Sequence, residues 1–279
     1  MSSVVGRINS IKQPRGGYIK PSELEVVDFD DGIVLNENEN LHGNTIGLVV
    51  DYLTRFVTGT DVVDSFSASL KGSIFAEKFG KKGSVETAKG FLKCIKGLDD
   101  DSIVNSCKLV AFDVWFRNPF GAMLSRSYED INPDKATIQN IIVLVNRSVA
   151  FFDTYGKVIK DGFTFEPVIK DKKKYEDMMQ TGKGSYGGYT STVNSGDGDF
   201  ITEDTLWDFK VIKTKPTNKH TLQLLMYWIM GMHSGQEIYK NIKRLGIFNP
   251  RLNKAYTLDV SKISEDIIST VEREVICYD

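Results

Sequence analysis

The chain has 279 residues, 41% of them hydrophobic, with 35 basic residues against 37 acidic ones and a formal net charge of −2. That length can bury one large core or two modest ones, and the near balance of charge excludes a global positive field, so any basic surface that attracts nucleic acid must be local. Three cysteines without Cys-x-x-Cys spacing give no zinc or disulfide framework, the amino end lacks a secretory pattern, and no apolar run approaches the roughly 18 residues of a membrane span; a cytoplasmic protein with reduced thiols and no membrane partner is expected.

Residues 1–40 mix Pro, Gly and acids with short apolar pieces such as Gly32-Ile33-Val34-Leu35, which predicts loops with one short strand at most. From Thr45 to Thr58, Ile46, Val49, Val50, Leu53 and Val57 recur at three- and four-residue spacing, the pattern of an amphipathic helix. Further helices are expected over Ala68–Phe79, Ser84–Ile95, Asp100–Asn118 and Lys135–Phe152, with Gly and Pro marking the breaks. The aromatic set Phe112, Trp115, Phe116, Phe151 and Phe152 falls at helical spacing and reads as core packing. Residues 1–160 are thus expected to form a mostly helical region that packs on a core built by 161–279.

Phe163–Val168 predicts the first core strand, ending at an edge or bulge because of Pro167, and Glu166 on it is a candidate secondary metal ligand. The lysines of Lys170–Lys174, interrupted only by Asp171, read as a solvated segment. Residues 181–196 are rich in Gly and Tyr and predict a loop, without the spacing of a phosphate-cradling P-loop.

Gly196–Lys210 predicts a β-hairpin, with two strand-like runs flanking a polar turn at Glu203 and Asp204. In that register Ile201 pairs with Leu206, Asp199 with Asp208, and Asp197 with Lys210. Alternation of side chains puts Asp197, Asp199, Asp208 and Lys210 on one face and Phe200, Trp207, Phe209 and Val211 on the other, which predicts one face for chemistry and one for the core. Carboxylates directly opposite each other lie about 4.5–5.5 Å apart at Cβ and repel by a few kcal/mol at an effective dielectric of about 20. A divalent cation would offset this, and Mg²⁺ needs only one or two protein carboxylates beside water and phosphate oxygens. Lys210, about 7 Å further along the same face, is placed to orient an attacking water or to balance phosphate charge.

Lys213, Lys215 and Lys219 then surround Pro216, and a helix is expected from Thr217 to Met232 with Leu222, Leu225, Met226, Ile229 and Met230 buried. Gln223 and Tyr227 stand one turn apart with Lys219 a turn earlier, a polar line able to meet a phosphate or base edge. Two closing strands, Glu237–Phe248 and Lys254–Val260, flank a turn in which Arg251 is a candidate phosphate contact. A last helix is expected over Glu265–Tyr278 with Ser264 as its cap.

Gly198-Asp199, Asp208-Phe209-Lys210 and Gln223-x-x-x-Tyr227, in this order, resemble the PD-(D/E)XK nuclease superfamily, and most of all its RecB-type branch with a Gln-x-x-x-Tyr motif; the matched region runs from Gly162 to Val260. Gly198 stands where the Pro that names the superfamily is expected. The resemblance implies a restriction-endonuclease-like α/β core, a mixed central sheet flanked by helices, and Mg²⁺-dependent (or Mn²⁺-dependent) hydrolysis of phosphodiester bonds in DNA. Asp199 and Asp208 would be metal ligands, Lys210 the catalytic lysine, and Gln223 and Tyr227 would position the strand. It also implies an accessory acid on an upstream helix, which Asp51 would supply; three cysteines cannot hold the four-cysteine iron-sulfur site of some relatives. Lys213, Lys215, Lys219 and Arg251 would contact the nucleic acid. The alternative is a silent protein with a nuclease fold that binds nucleic acid or a protein without cutting.

Overall fold

Six segments pair into one mixed sheet in the computed structural model of the chain, which describes residues 2–278. They are β1 (Glu25–Asp28), β2 (Lys160–Thr164), β3 (Asp197–Ile201), β4 (Thr205–Phe209), β5 (Arg244–Asn249) and β6 (Lys254–Asp259). Their order across the sheet is β1-β6-β5-β4-β3-β2, with β4 and β5 parallel and the other neighbours antiparallel. A parallel pair needs a long crossover, and the Asn218–Ser234 helix supplies it between β4 and β5. The protein is therefore of the α/β class, with a mixed central sheet flanked by helices and a helical amino-terminal half. Among the described residues no helix is long and apolar enough to cross a membrane.

The chain divides into two compact units. The sheet unit holds the chain up to Phe29, Tyr155–Lys210 and the chain from Thr214 on. The first residues, expected with the helical region, thus belong to it: Val4–Ser10 forms a short helix and Glu25–Asp28 forms the edge strand β1, paired with β6. The crossover helix buries Leu222, Leu225, Met226, Ile229 and Met230, the five residues expected from its spacing, in one cluster with Ile201, Leu206, Leu245 and Ile247 from the sheet. Gly235, with φ of 72°, ends the helix in the left-handed region that glycine adopts without cost. On the other side of the hairpin Trp207 is fully buried against Tyr155 and Phe200, with its Nε1–H bonded to Thr202 Oγ1 at 3.0 Å.

Two expected strands differ in extent. β2 ends at Thr164 rather than Val168, because main-chain groups beyond it are used elsewhere: the Phe165 carbonyl accepts from Gly188 N–H, and the Glu166 carbonyl from Gln236 Nε2. Glu237–Lys240 is a helical turn, and β5 begins only at Arg244. Gly32–Leu35 forms no strand; Arg147 binds the Ile33 carbonyl at 2.7 Å and the Asp31 carboxylate at 2.8 Å, which holds this segment by side-chain bonds instead.

The helical unit spans Asp30–Thr154 and Val211–Lys213. Ile46, Val49, Val50 and Leu53 of the Gly43–Val57 helix are fully buried, as are Ile103, Leu109, Ile141 and Leu144. The expected Asp100–Asn118 helix is interrupted at Val110–Phe112 by a tighter turn, where the Ser67–Lys78 helix approaches so closely that a Cβ on Gly72 would lie 1.9 Å from the Phe112 carbonyl oxygen. Asp113 follows, buried, accepting bonds from Tyr52 Oη at 2.5 Å and from Ser69 Oγ; burial raises its pKa despite these bonds and the nearby Arg117.

Gly198 shows how tightly the hairpin is packed against β2. It pairs with Phe163, and a Cβ there would fall 1.7 Å from the Phe163 ring. Gly198→Ala should lower stability by about 1–3 kcal/mol, the usual cost of overpacking, measured as a lower urea midpoint at constant slope. A change below about 0.5 kcal/mol, the scatter of neutral surface changes, would mean that the ring has room to move.

Candidate active site

The hairpin register is the expected one: Phe200 pairs with Trp207 and Ile201 with Leu206, and Thr202 N–H donates to the Thr205 carbonyl at 3.1 Å across the Glu203-Asp204 turn. Regular pairing of β3 with β4 stops at Phe200 and Trp207. One residue further, Asp199 Oδ2 accepts the Phe209 N–H at 2.5 Å, so a carboxylate stands in for a backbone acceptor where the ladder opens. On the other side of β4 the parallel ladder continues, with Lys210 N–H donating to the Phe248 carbonyl at 2.9 Å.

Asp208 lies on central strand β4 and is 2% exposed. Its partner is Lys210, whose Nζ donates to Oδ1 at 3.0 Å and lies 2.8 Å from Oδ2; Oδ2 itself is buried without hydrogen-bond geometry to any group. Lys210, which the register puts opposite Asp197, thus takes its countercharge from its own strand. Asp197 is exposed and solvated, whereas a carboxylate as buried as Asp208 is costly without a countercharge. Burial alone would lower the Lys210 pKa, but the charges of Asp208 and Asp199 and the bond to Asp208 outweigh it and raise it, so the side chain is an ammonium.

The expected split into a chemical face and a core face is also corrected. Ile201 and Leu206, two residues from Asp199 and Asp208 and so on their side of the strands, belong to the core under the crossover helix. The helix therefore roofs the acids. Its line of polar residues is His220, Gln223 and Tyr227: Gln223 Nε2 donates to Tyr227 Oη at 2.7 Å, and His220 Nδ1 accepts Thr217 N–H at 3.1 Å at the helix start. Burial, then the charge of Asp208, pushes the Tyr227 pKa far up, with Asp199 and Asp197 adding to it and the Gln223 bond opposing it, so the hydroxyl keeps its proton. Lys219, expected in this line, turns to Asn9 Oδ1 at 2.8 Å, and His220 takes its place. Sequence spacing contained His220, three residues before Gln223, but lysine was the more obvious phosphate ligand.

Of the remaining candidates, Asp51, Glu166 and Lys213 have partners of their own. Asp51 lies in the helical unit, 3.0 Å from Arg55 Nε one turn on. Glu166 lies beyond the end of β2 and pairs with Lys170 at 3.1 Å. Among the described residues no group of three or more His, Cys, Asp or Glu side chains converges as a metal cage. Lys213 lies 3.9 Å from Glu39 within the helical unit, and Lys215 is exposed. Arg251 is buried in the β5–β6 turn, where its backbone N–H donates to Asn249 Oδ1 at 3.0 Å, so its side chain does not stand at the surface as a phosphate contact would. In the Lys170–Lys174 run, Asp171 caps the Lys172–Thr181 helix by accepting Lys174 N–H.

The donor set suits a hard divalent cation in a limited way. Asp199 accepts a bond at the open end of the ladder, Asp208 lies beside it in sequence register, both charges act on Lys210, and Asp208 Oδ2 has no hydrogen bond; two carboxylates with water and phosphate oxygens meet the demand of Mg²⁺. An ammonium now neutralises Asp208, so an ion and Lys210 would compete for it.

His220 gives the site a pH signature. Burial, then Lys210, lowers its pKa, with Asp208 opposing. The unfolded chain therefore binds this proton more readily than the folded one, so the stability present above about pH 6.5 is lost as pH falls through the folded pKa. His220→Gln, which can still accept Thr217 N–H, should flatten the fall in denaturation free energy below that pH; an unchanged acid limb would place the titration elsewhere.

Comparison of the chain with family models, with curated proteins and with solved structures returned no match.

Proposed function

We propose that the protein is a metal-dependent nuclease that hydrolyses phosphodiester bonds in DNA. The observation that carries this reading is the buried Asp208 on the central strand, with Lys210 on it, Asp199 at the open end of the same ladder and the Gln223–Tyr227 pair on the helix above. Asp199 and Asp208 would hold Mg²⁺ or Mn²⁺. When bound, such an ion makes a water more acidic and polarises a phosphoryl oxygen.

The remaining work falls to the chain's own groups. Lys210 stays protonated and, once released from Asp208, supplies an ammonium that orients the attacking water or balances charge on the phosphate. Tyr227 keeps its hydroxyl proton and can donate it to a phosphate oxygen, while Gln223 fixes the hydroxyl in place. Both are buried, so they act without prior reorganisation. The ion pair also favours a second reading, a silent binding protein, because Lys210 already removes the repulsion that would otherwise demand a cation.

Incubation of the protein with plasmid and with short labelled strands separates the two: products should form with Mg²⁺ or Mn²⁺ and not with EDTA. Asp208→Asn should abolish cleavage. It should also destabilise the fold, by on the order of 3 kcal/mol, because it leaves a mostly buried ammonium without its partner. Cleavage equal to wild type would sink the assignment of Asp208.

Lys210→Met separates holding an ion from using it. The change leaves Asp208 buried and uncompensated, so the variant should melt lower than wild type without divalent ions and gain more than wild type from Ca²⁺ or Mn²⁺. Turnover should fall by about 10² to 10⁴, the usual contribution of a positioned proton-handling group. Equal ion-induced shifts in the two proteins would show that lysine and ion do not share the carboxylate.

A further inference from the structure

The helical unit carries a group of aromatic side chains that stand partly exposed at its surface. Phe75 and Phe79 stand one turn apart at the end of the Ser67–Lys78 helix, and Phe116 and Phe120 stand four residues apart on the facing segment Asp113–Ala122. They pair across the gap: Phe75 with Phe116 and Phe79 with Phe120, each at 6.2 Å between ring centroids. Of the residues expected to be core, Phe112 and Trp115 are buried, but Phe116 is 41% exposed, and Phe120 beside it is 77% exposed. Cations lie over these rings, Lys71 Nζ at 5.5 Å from the Phe116 centroid and Lys78 Nζ at 5.4 Å from that of Phe75. Lys81 and Lys82 follow directly, both exposed, while the one acid within this stretch of helix, Glu77, accepts the Val85 N–H.

We infer that this strip of paired phenylalanines and lysines is a binding platform for single-stranded DNA, outside the carboxylate site. Bases offer flat faces to rings, and phosphates, spaced along the same strand, offer charge to lysines; rings and lysines alternate here as that ligand requires. A base stacked on phenylalanine is worth more than an exposed cation over the same ring. An arriving base therefore displaces the ammonium, and the flexible lysine moves to the neighbouring phosphate. Duplex DNA keeps its base faces stacked and cannot use the rings. An acidic peptide would use the lysines and leave the rings unsatisfied. The inference rests on the proposed reading only in taking DNA as the strand.

Fluorescence anisotropy with labelled oligo(dT), a duplex of equal length and a poly-glutamate peptide, in EDTA so that no cleavage intervenes, tests it. Oligo(dT) should bind more tightly than the other two. Phe120→Ala, at a ring too exposed to matter for folding, should weaken oligo(dT) binding roughly fivefold or more, the range of one lost base stack, and Phe120→Trp should restore it. Lys71→Ala with Lys78→Ala should reduce the dependence of log affinity on log salt by about one to two. Unchanged oligo(dT) binding by Phe120→Ala and by the folded Phe116→Ala/Phe120→Ala double variant would overturn the inference, as would equal binding of duplex or peptide. Binding through the rings without metal-dependent cleavage would leave the platform standing and remove the nuclease reading. Cleavage with ring-independent binding would do the reverse.

Discussion

The site depends on one ion pair: Asp208 on the central strand, closed off from water, with the Lys210 ammonium 2.8–3.0 Å away. A buried carboxylate is tolerated only with a countercharge, and this one sits where the β3–β4 ladder opens, so a second carboxylate from Asp199 comes to the same end. Burying charge on the middle strand of a sheet is a poor way to gain stability. The arrangement makes physical sense if the lysine is a removable partner and its place can pass to something with more positive charge.

The roof over this pair follows from the topology. Because β4 and β5 are parallel neighbours, the chain must cross between them, and the crossover helix lies on the side to which Asp208 and Lys210 point. Its apolar residues cover Ile201 and Leu206, and its polar line brings His220, Gln223 and Tyr227 over the acids. Core packing and the polar constellation are thus produced by the same element, which is why Gln223 and Tyr227 are buried although both are polar.

Much of this was legible from the sequence where local rules decide. The turn at Glu203-Asp204 and the alternation on either side fix the hairpin register, and the spacing of Leu222 to Met230 fixes the face of the crossover helix. What alternation could not supply was burial. It placed Lys210 opposite Asp197 by position, whereas the difference in exposure between Asp197 and Asp208 decides the partner. Similarly, Lys219 and His220 differ by one helix position, and only the placement of Asn9 on the Val4–Ser10 helix shows which of them leaves the line. Phe116 carries the helical spacing of a core residue, but the tight turn at Val110–Phe112 rotates the segment that follows and leaves its ring half in solvent.

The two units divide these roles without sharing residues: the carboxylates, lysine and crossover helix in one, the aromatic strip and the Asp113 network in the other. The cation site proposed at Asp199 and Asp208, from which Lys210 is displaced, is tested most directly by a crystal soaked in Mn²⁺ and measured for anomalous scattering. A single strong peak is expected between the Asp199 and Asp208 carboxylates, with the Lys210 ammonium moved off Asp208. Saturating Mn²⁺ that leaves the Asp208–Lys210 pair intact, with no peak between the two carboxylates, would contradict it.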